Sequence, residues 1–143
     1  MNYKVFLDVN ILIDFFDGSR QHHEPAKHLM ELIEDETITG YFSQSVVDTT
    51  VYLVQKGYTP KELRKTIKEL LEIVTLAPCS NKTIQAACQL PTNDLEDAVL
   101  YQIALENQLD YFITHDKAAY KKLSSQALPV VTAGEFFKIL AEQ

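Results

Sequence analysis

The sequence predicts an α/β fold in which a mostly parallel sheet is covered by helices on both faces. Its 143 residues are enough for one domain and hardly for two, so we expect residues 1–143 to form a single domain. Hydrophobic residues make up 46% and charged residues 23%, the composition of a globular chain rather than a disordered one. Short apolar runs alternate with segments of helical periodicity, and parallel strands need such crossover helices.

The first part of the chain begins with a predicted strand–helix–helix–strand unit. Tyr3–Leu7 is a short apolar run that ends at an acid, which is typical of a buried strand. The following residues have helical spacing, with Asn10 as the expected cap and Gly18 closing the element. A second helix over 22–36 leads into a second strand over 38–42.

The middle of the chain is predicted to be mainly helical. Residues 43–56 contain a β-branched run, but Ser45 followed three residues later by Asp48 resembles a capping box and favours a helix. Thr59 and Pro60 open the clearest helix of the sequence, because a threonine cap followed by proline is a strong helix start. Residues 74–78 are expected to form the third strand.

The last part of the chain is predicted to alternate in the same way. A helix over 81–90 ends at Pro91, and Asn93 with Glu96 three residues later begins the next one. A fourth strand over 110–114, a fifth over 128–132 and a closing helix over 133–143 complete the pattern.

Several classes of protein are disfavoured by the sequence. No apolar run approaches the roughly 18 residues of a membrane span, and the first residues lack a signal-peptide pattern. We therefore expect a soluble, cytoplasmic protein without a membrane partner. Cys79 and Cys88 match no zinc spacing and are expected to be buried thiols.

The charge balance of 20 acids against 13 bases gives a net charge of −7, which on its face disfavours a nucleic-acid partner. The net negative charge is compatible with a nucleic-acid partner if several acids lie together and hold a cation. A basic stripe over 61–68 (Lys61, Arg64, Lys65 and Lys68) is compatible with either a nucleic-acid contact or a solvated helix face.

Four acids are placed where the predicted fold would gather them. Asp8 follows the first strand and Asp116 follows the fourth, and in open parallel sheets ligands bind beyond the carboxyl ends of the strands. Asp94 and Asp97 are three residues apart at a helix start and share one face. Asp94 taken alone is better explained as a helix cap, because acids are favoured at helix N-termini.

A convergence of these acids would require a cation. Two carboxylates about 5 Å apart repel by roughly 3 kcal/mol at an effective dielectric of about 20. Their pKa values must therefore rise, or a divalent cation must bind. An all-oxygen ligand set selects Mg²⁺ or Mn²⁺ over zinc, and such sites typically perform phosphoryl transfer.

Three segments together resemble the PIN-domain nucleases, in the branch of bacterial toxins. The segments are FLDVNILID near the start, DLEDAVLYQIALEN in the last third and LDYFITHDKAAY directly after it, followed by PVVTAGEF. The resemblance covers essentially the whole chain. It implies a three-layer α/β/α sandwich with four to five strands, and metal-dependent endonucleolytic cleavage, usually of single-stranded RNA.

The resemblance also implies roles for individual residues. Asp8, Asp97 and Asp116 match the catalytic acids, and they would bind Mg²⁺ or Mn²⁺ together with Asp94. Asn10 and Thr114 match the supporting polar positions. Many members carry Glu on the helix after the second strand, where this chain offers Asp48, which would reach the ion directly or through water. His115 replaces an Arg or Asn; it is either a contact to phosphate or attacking water, or an exposed loop residue.

Two other functions compete with the ribonuclease. A catalytically degenerate PIN-like domain would bind RNA or protein without cutting, and the three acids favour activity over this alternative. A receiver domain is disfavoured because it needs a lone Asp after the third strand and a Lys after the fifth, where this chain has Ala77-Pro78 and Thr132-Ala133. Among ribonucleases of this family, many are toxins with a small antitoxin partner, and members often form homodimers.

Overall fold

Five parallel strands form the centre of the protein. The computed structural model describes residues 2–143. The strands are β1 (Lys4–Leu7), β2 (Thr39–Phe42), β3 (Val74–Leu76), β4 (Tyr111–Ile113) and β5 (Val130–Val131). They are ordered β3-β2-β1-β4-β5, and every neighbouring pair is parallel. The predicted sheet is therefore confirmed, with five strands.

Seven α-helices within residues 2–143 flank this sheet in the expected α/β/α arrangement. They are α1 (Val9–Phe16), α2 (His23–Glu34), α3 (Gln44–Val54), α4 (Pro60–Ile73), α5 (Asn81–Ala87), α6 (Leu95–Glu106) and α7 (Ala133–Ala141). Short 3-10 turns cover Gln55–Gly57 and Lys117–Tyr120. Helix α1 packs against α2 and α3, whereas α5 packs against α6.

The centre of the sheet is also where the strand order reverses. From β1 the chain first builds the sheet outward through β2 and β3, and then returns to add β4 on the other side of β1. Leu7 lies opposite Ile113, and the backbone N–H of Asp8 donates to the carbonyl of Ile113 at 3.1 Å. Residues after β1 and β4 therefore meet at a topological switch point, where open α/β sheets bind ligands.

Three helices begin at other residues than the sequence patterns indicated. Asp8 rather than Asn10 caps α1, Ser43 rather than Ser45 caps α3, and Asp94 rather than Asn93 caps α6. In each case the cap side chain accepts a bond from a backbone N–H of the first turn, which stabilises the helix start. The predicted start of α4 is confirmed, with Thr59 in a full capping box and proline next to it.

The core is aromatic and aliphatic, and it packs on both sides of the central strands. Phe6 and Phe112, on neighbouring strands, stack at 5.1 Å between ring centroids, and Tyr120 packs on Phe112 at 4.5 Å. The cysteine prediction was wrong: Cys79 and Cys88 are both free and exposed, because they lie outside the faces that their helix and loop turn to the core. Within residues 2–143, no helix is long and apolar enough to cross a membrane.

Candidate active site

Asp8 is a buried carboxylate at the switch point of the sheet. Its residue is 5% exposed, although it stands at the end of a strand. One carboxylate oxygen accepts from the N–H of Val9 at 2.8 Å, which is the helix cap of α1. The other oxygen accepts from the hydroxyl of Thr114 at 2.8 Å. Neutral donors therefore hold the Asp8 side chain in place.

Asn10 and Thr114 join α1 to the segment after β4. The Asn10 amide donates to the Thr114 hydroxyl at 3.0 Å, and its carbonyl oxygen accepts from the backbone N–H of His115 at 2.8 Å. The Thr114 hydroxyl also accepts from the backbone N–H of Asp116 at 3.0 Å. Because Thr114 contacts both Asp8 and Asp116, its hydroxyl fixes the relation between the two acid-bearing segments.

Asp97 reaches the same region from the start of α6. Asp94 caps this helix by accepting from the backbone N–H of Asp97 at 3.1 Å. The hydroxyl of the buried Tyr120 donates to the Asp97 carboxylate at 3.1 Å. Burial raises the pKa of Asp97 to about 6, and the negative charges of Asp94, Asp8 and Glu96 act in the same direction.

The electrostatics of Asp8 and Tyr120 show that this region holds uncompensated negative charge. Burial raises the pKa of Asp8, the charge of Asp116 adds to the rise, and hydrogen bonds from Thr114, Val9 and Tyr120 oppose it. Burial and the nearby carboxylates of Asp8 and Asp97 raise the pKa of Tyr120 far above its usual range, so its hydroxyl remains a donor. Within residues 2–143, no Lys, Arg or His forms an ion pair with Asp8, Asp97 or Asp116.

The carboxylate oxygens of these acids are suitable ligands for a hard divalent cation, but the side chains are not arranged around a metal position. Several carboxylates without a basic partner are the oxygen ligands that Mg²⁺ and Mn²⁺ prefer. Among residues 2–143, however, no group of three or more His, Cys, Asp or Glu side chains is already positioned to hold a metal ion. The Tyr120 hydroxyl donates to one oxygen of the Asp97 carboxylate in this arrangement.

A second buried carboxylate, Asp14, lies further along α1, six residues after Asp8. It is 2% exposed, forms an ion pair with Arg20 and is hydrogen-bonded to Nδ1 of His115, while its backbone carbonyl contacts the ring of His23 at 2.8 Å. The His115 side chain is 7% exposed, and burial lowers its pKa, against the opposing effect of Asp14. Nε2 of His115 is buried without a hydrogen-bond partner within residues 2–143.

The structure brings together most, but not all, of the residues that the sequence indicated. Contacts or charge effects connect the following: Asp8, Asn10, Asp94, Asp97, Thr114 and Asp116. Asp48 is not connected to them: it is exposed on α3, and its side chain makes no hydrogen bond or ion pair within residues 2–143. His115 is not an exposed loop residue, because its side chain is 7% exposed and Asp14 binds its ring; its contact with a phosphate or the attacking water stays a prediction.

Two residues near the site were missed by the sequence patterns. Tyr120 stands four residues after Asp116, between two alanines and two lysines, where an isolated aromatic side chain was the only signal. Asp14 shares the buried side of α1 with Ile11 and Leu12, so an acid on an otherwise apolar helix face was the signal. Its partner His115 is 101 residues away, which local spacing does not reveal.

Comparisons with known proteins identify the family of this chain and relatives of its sequence and fold. A sequence profile of the PIN domain matches residues 4–118. The chain is 28% identical to Ribonuclease VapC1 of Aquifex aeolicus over 138 residues, covering 93% of this chain and 92% of that protein.

Two solved structures share the fold at low sequence identity. The crystal structure of VapBC2 from Rickettsia felis, bound to a DNA fragment from its promoter, contains a chain with a TM-score of 0.65 and 14% identity, covering 90% of this chain and 98% of the other. VapC20 of Mycobacterium tuberculosis, described as a sarcin-ricin loop cleaving toxin, has a TM-score of 0.59 and 12% identity, covering 76% of this chain and 86% of the other.

Proposed function

Because the chain belongs to the PIN-domain family, we propose that it is a divalent-metal-dependent endoribonuclease that hydrolyses phosphodiester bonds of single-stranded RNA. The relative from Aquifex aeolicus is named a ribonuclease, and the alignment covers nearly the whole of both chains. The family match thus supports a nuclease, and the ribonuclease name supports RNA as its substrate.

The observation that carries the proposal is a group of carboxylates without a basic partner at the switch point of the sheet. A structural acid in such a place is normally paired with Lys or Arg, because an unpaired buried charge is costly. Asp8 is buried with neutral donors only, and the pKa of Asp97 is raised to about 6. A site with this unmet charge is suited to bind a cation.

In the proposed enzyme, Asp8, Asp97 and Asp116 hold Mg²⁺ or Mn²⁺, with Asp94 in a supporting position. A divalent ion held there would lower the pKa of a water molecule and neutralise charge on the phosphate. Hydrolysis joins the water oxygen to phosphorus, breaks the bond to the leaving oxygen and delivers a proton to that oxygen. Asn10 and Thr114 keep the Asp8 and Asp116 segments in register during this change.

The toxin role is a narrower part of the same proposal. Both structural neighbours are named as members of VapBC or VapC systems, one of them solved as VapBC2 with a promoter DNA fragment. We extend this to a small antitoxin as the partner of this chain, with a homodimer as its assembly and the cytoplasm as its location. The open reading frame beside the gene tests the proposed antitoxin, and the mass of the purified protein in solution tests the proposed homodimer.

One observation favours the alternative of a non-catalytic RNA- or protein-binding module. No group of three acids within residues 2–143 is already arranged around a metal position, and the exposed Asp48 makes no hydrogen bond or ion pair with that part of the chain. Cleavage separates the two functions. We expect the protein to cut a fluorescent single-stranded RNA in Mn²⁺ and to stop when a chelator is added. Binding of the RNA without cleavage at any Mn²⁺ or Mg²⁺ concentration supports the binding module instead.

A further inference from the structure

A cavity with mixed charge adjoins the proposed metal site. It has a volume of about 390 Å³ and is bounded on one side by the residues that lead into α6, and on the other by the 3-10 turn after Asp116. Its acidic wall contains Asp94 and Asp97, and its opposite wall contains Lys121 and Lys122. The cavity thus extends the site from the carboxylates to two ammonium groups.

The two lysines are not used by the fold. Both are exposed, and neither forms an ion pair within residues 2–143. Lys117, at the start of the 3-10 turn that precedes them, differs from them because its ammonium group is bonded to Glu135 at 2.9 Å. Lys121 also lines a second cavity of about 380 Å³, together with Lys117 and Ser124, so the basic wall continues away from Asp97 towards β5.

The charge of the whole protein makes these lysines significant for a polyanion. A net charge of −7 repels RNA, and the acids at the switch point strengthen the repulsion where the scissile phosphate must lie. A metal on the acids neutralises charge at that phosphate only. Neighbouring phosphates need a separate cation within about one Debye length, roughly 8–10 Å at ordinary salt.

We propose that Lys121 and Lys122 form a subsite for RNA phosphates that flank the scissile one, so that the strand runs from the carboxylates along the basic wall of this cavity. This inference rests on the proposed ribonuclease function. Thr92 and Asn93 line the same cavity and offer side-chain hydrogen-bond donors to the strand.

The test compares two substrates that differ in flanking phosphates. A dinucleotide with a single internucleotide phosphate contains only the scissile group, whereas a ten-nucleotide RNA also contains its neighbours. For K121Q/K122Q we expect KM for the longer RNA to rise about tenfold with kcat unchanged. The dinucleotide should be cut with the same kcat/KM as by the parent. The slope of log KM against log salt for the longer RNA should fall by about 0.7 for each phosphate that the variant no longer binds.

A matched double variant controls for net charge. K82Q/K138Q removes the same number of charges from exposed positions on α5 and α7, outside both cavities, and leaves residues at the carboxylates untouched. We expect its KM and salt slope to equal those of the parent. If K82Q/K138Q raises KM while K121Q/K122Q does not, or if K121Q/K122Q impairs both substrates equally, the subsite is wrong.

The ribonuclease proposal fails in a different way from the subsite. It fails if the parent cuts neither RNA in Mn²⁺, and in that case labelled RNA is titrated onto the parent and both double variants. If only K121Q/K122Q binds the RNA more weakly than the parent, the two lysines bind phosphates in a protein that does not cleave. If all three proteins bind the RNA equally, the lysine subsite is wrong as well. Cleavage by the parent with unchanged kinetics in K121Q/K122Q overturns the subsite alone.

Discussion

Helix α1 carries two buried carboxylates that the protein treats in opposite ways. Asp8 caps the first turn and Asp14 lies six residues later, and their residues are 5% and 2% exposed. Asp14 is paired with Arg20 and His115. Asp8 has Thr114, Val9 and Asn10 as donors, none of them charged, and the nearby charge of Asp116 is of its own sign.

The two acids differ in their partners and not in their burial, and we propose that the one without a charged partner is the functional one. Asp14 has its counter-charge within the fold, so its interactions are complete and serve to hold α1, the Arg20 loop and His115 together. Asp8 lacks a counter-charge, and it shares this lack with Asp97 and Asp116. Buried carboxylates without a counter-charge lower the stability of the folded protein, and binding of a cation restores it.

The largest expected effect is the loss of catalysis in the variant Asp8→Asn. Asparagine preserves the size and the capping ability of the side chain but removes one charge of the proposed metal site. We expect cleavage of single-stranded RNA to fall about 10³-fold or more, while stability to urea stays equal to or above that of the parent. Equal cleavage rates would remove Asp8 from the metal site.

A matched control for Asp8→Asn needs an acid without structural contacts. Glu72→Gln, exposed on α4, is suitable and should leave both rate and stability unchanged. Asp14→Asn is unsuitable as that control, because Asp14 is buried and bonded to Arg20 and His115.

The second effect is on stability, and it concerns Asp14→Asn. The substitution weakens charge-assisted hydrogen bonds to Arg20 and His115 inside the fold. We expect the free energy of unfolding to fall by about 1.5–3 kcal/mol in urea titrations. Cleavage should fall far less than in Asp8→Asn. A fully stable Asp14→Asn protein would show that the Asp14 cluster does not hold the fold together.

The third effect is the pH dependence of stability that Asp97 produces. Its pKa of about 6 in the folded protein lies above the 3.8 of an ordinary Asp, so the folded state binds the proton more tightly than the unfolded state. In metal-free protein this carboxyl therefore adds stability as the pH falls from about 7 through 6 towards 4. Asp97→Asn should be more stable than the parent at pH 7.5, and the gap should close by pH 4.5, as measured by thermal unfolding. A gap that is constant with pH would contradict the raised pKa.

The smallest effect is expected for Asp48→Asn. Asp48 is exposed and makes no contact with the other acids within residues 2–143, and solvent screens exposed charges. We expect kcat/KM for RNA to change by less than about threefold. A loss as large as that of Asp8→Asn would place Asp48 among the residues that hold the ion, as the family resemblance implied.

The sequence patterns revealed the fold more completely than the site. Strand and helix order follow from local periodicity, and the sheet order places Asp8 beside Thr114 as the strand-end rule predicts. The predicted helix starts were wrong where two residues close in sequence could each cap the helix. Asn10 resembles a cap, but its amide bonds Thr114 and His115, which are 104 and 105 residues away.

The parts of the site that remained hidden depend on contacts across the chain. Asp14 and His115 have no sequence spacing that announces their pairing, and Tyr120 meets Asp97 over 23 residues through the turn after Asp116. Such partners are set by how the helices pack on the sheet. The sequence therefore identified candidate acids, whereas only the structure shows which of them have counter-charges.

Titration of the metal-free protein with Mn²⁺ by calorimetry tests the central claim, that the carboxylates around Asp8 lack a cation which Asp14 already has. We predict saturable binding to the parent that a chelator reverses. The affinity should fall about tenfold or more in Asp8→Asn and stay unchanged in Glu72→Gln. No binding to the parent, or equal affinity in the parent and Asp8→Asn, would contradict the account.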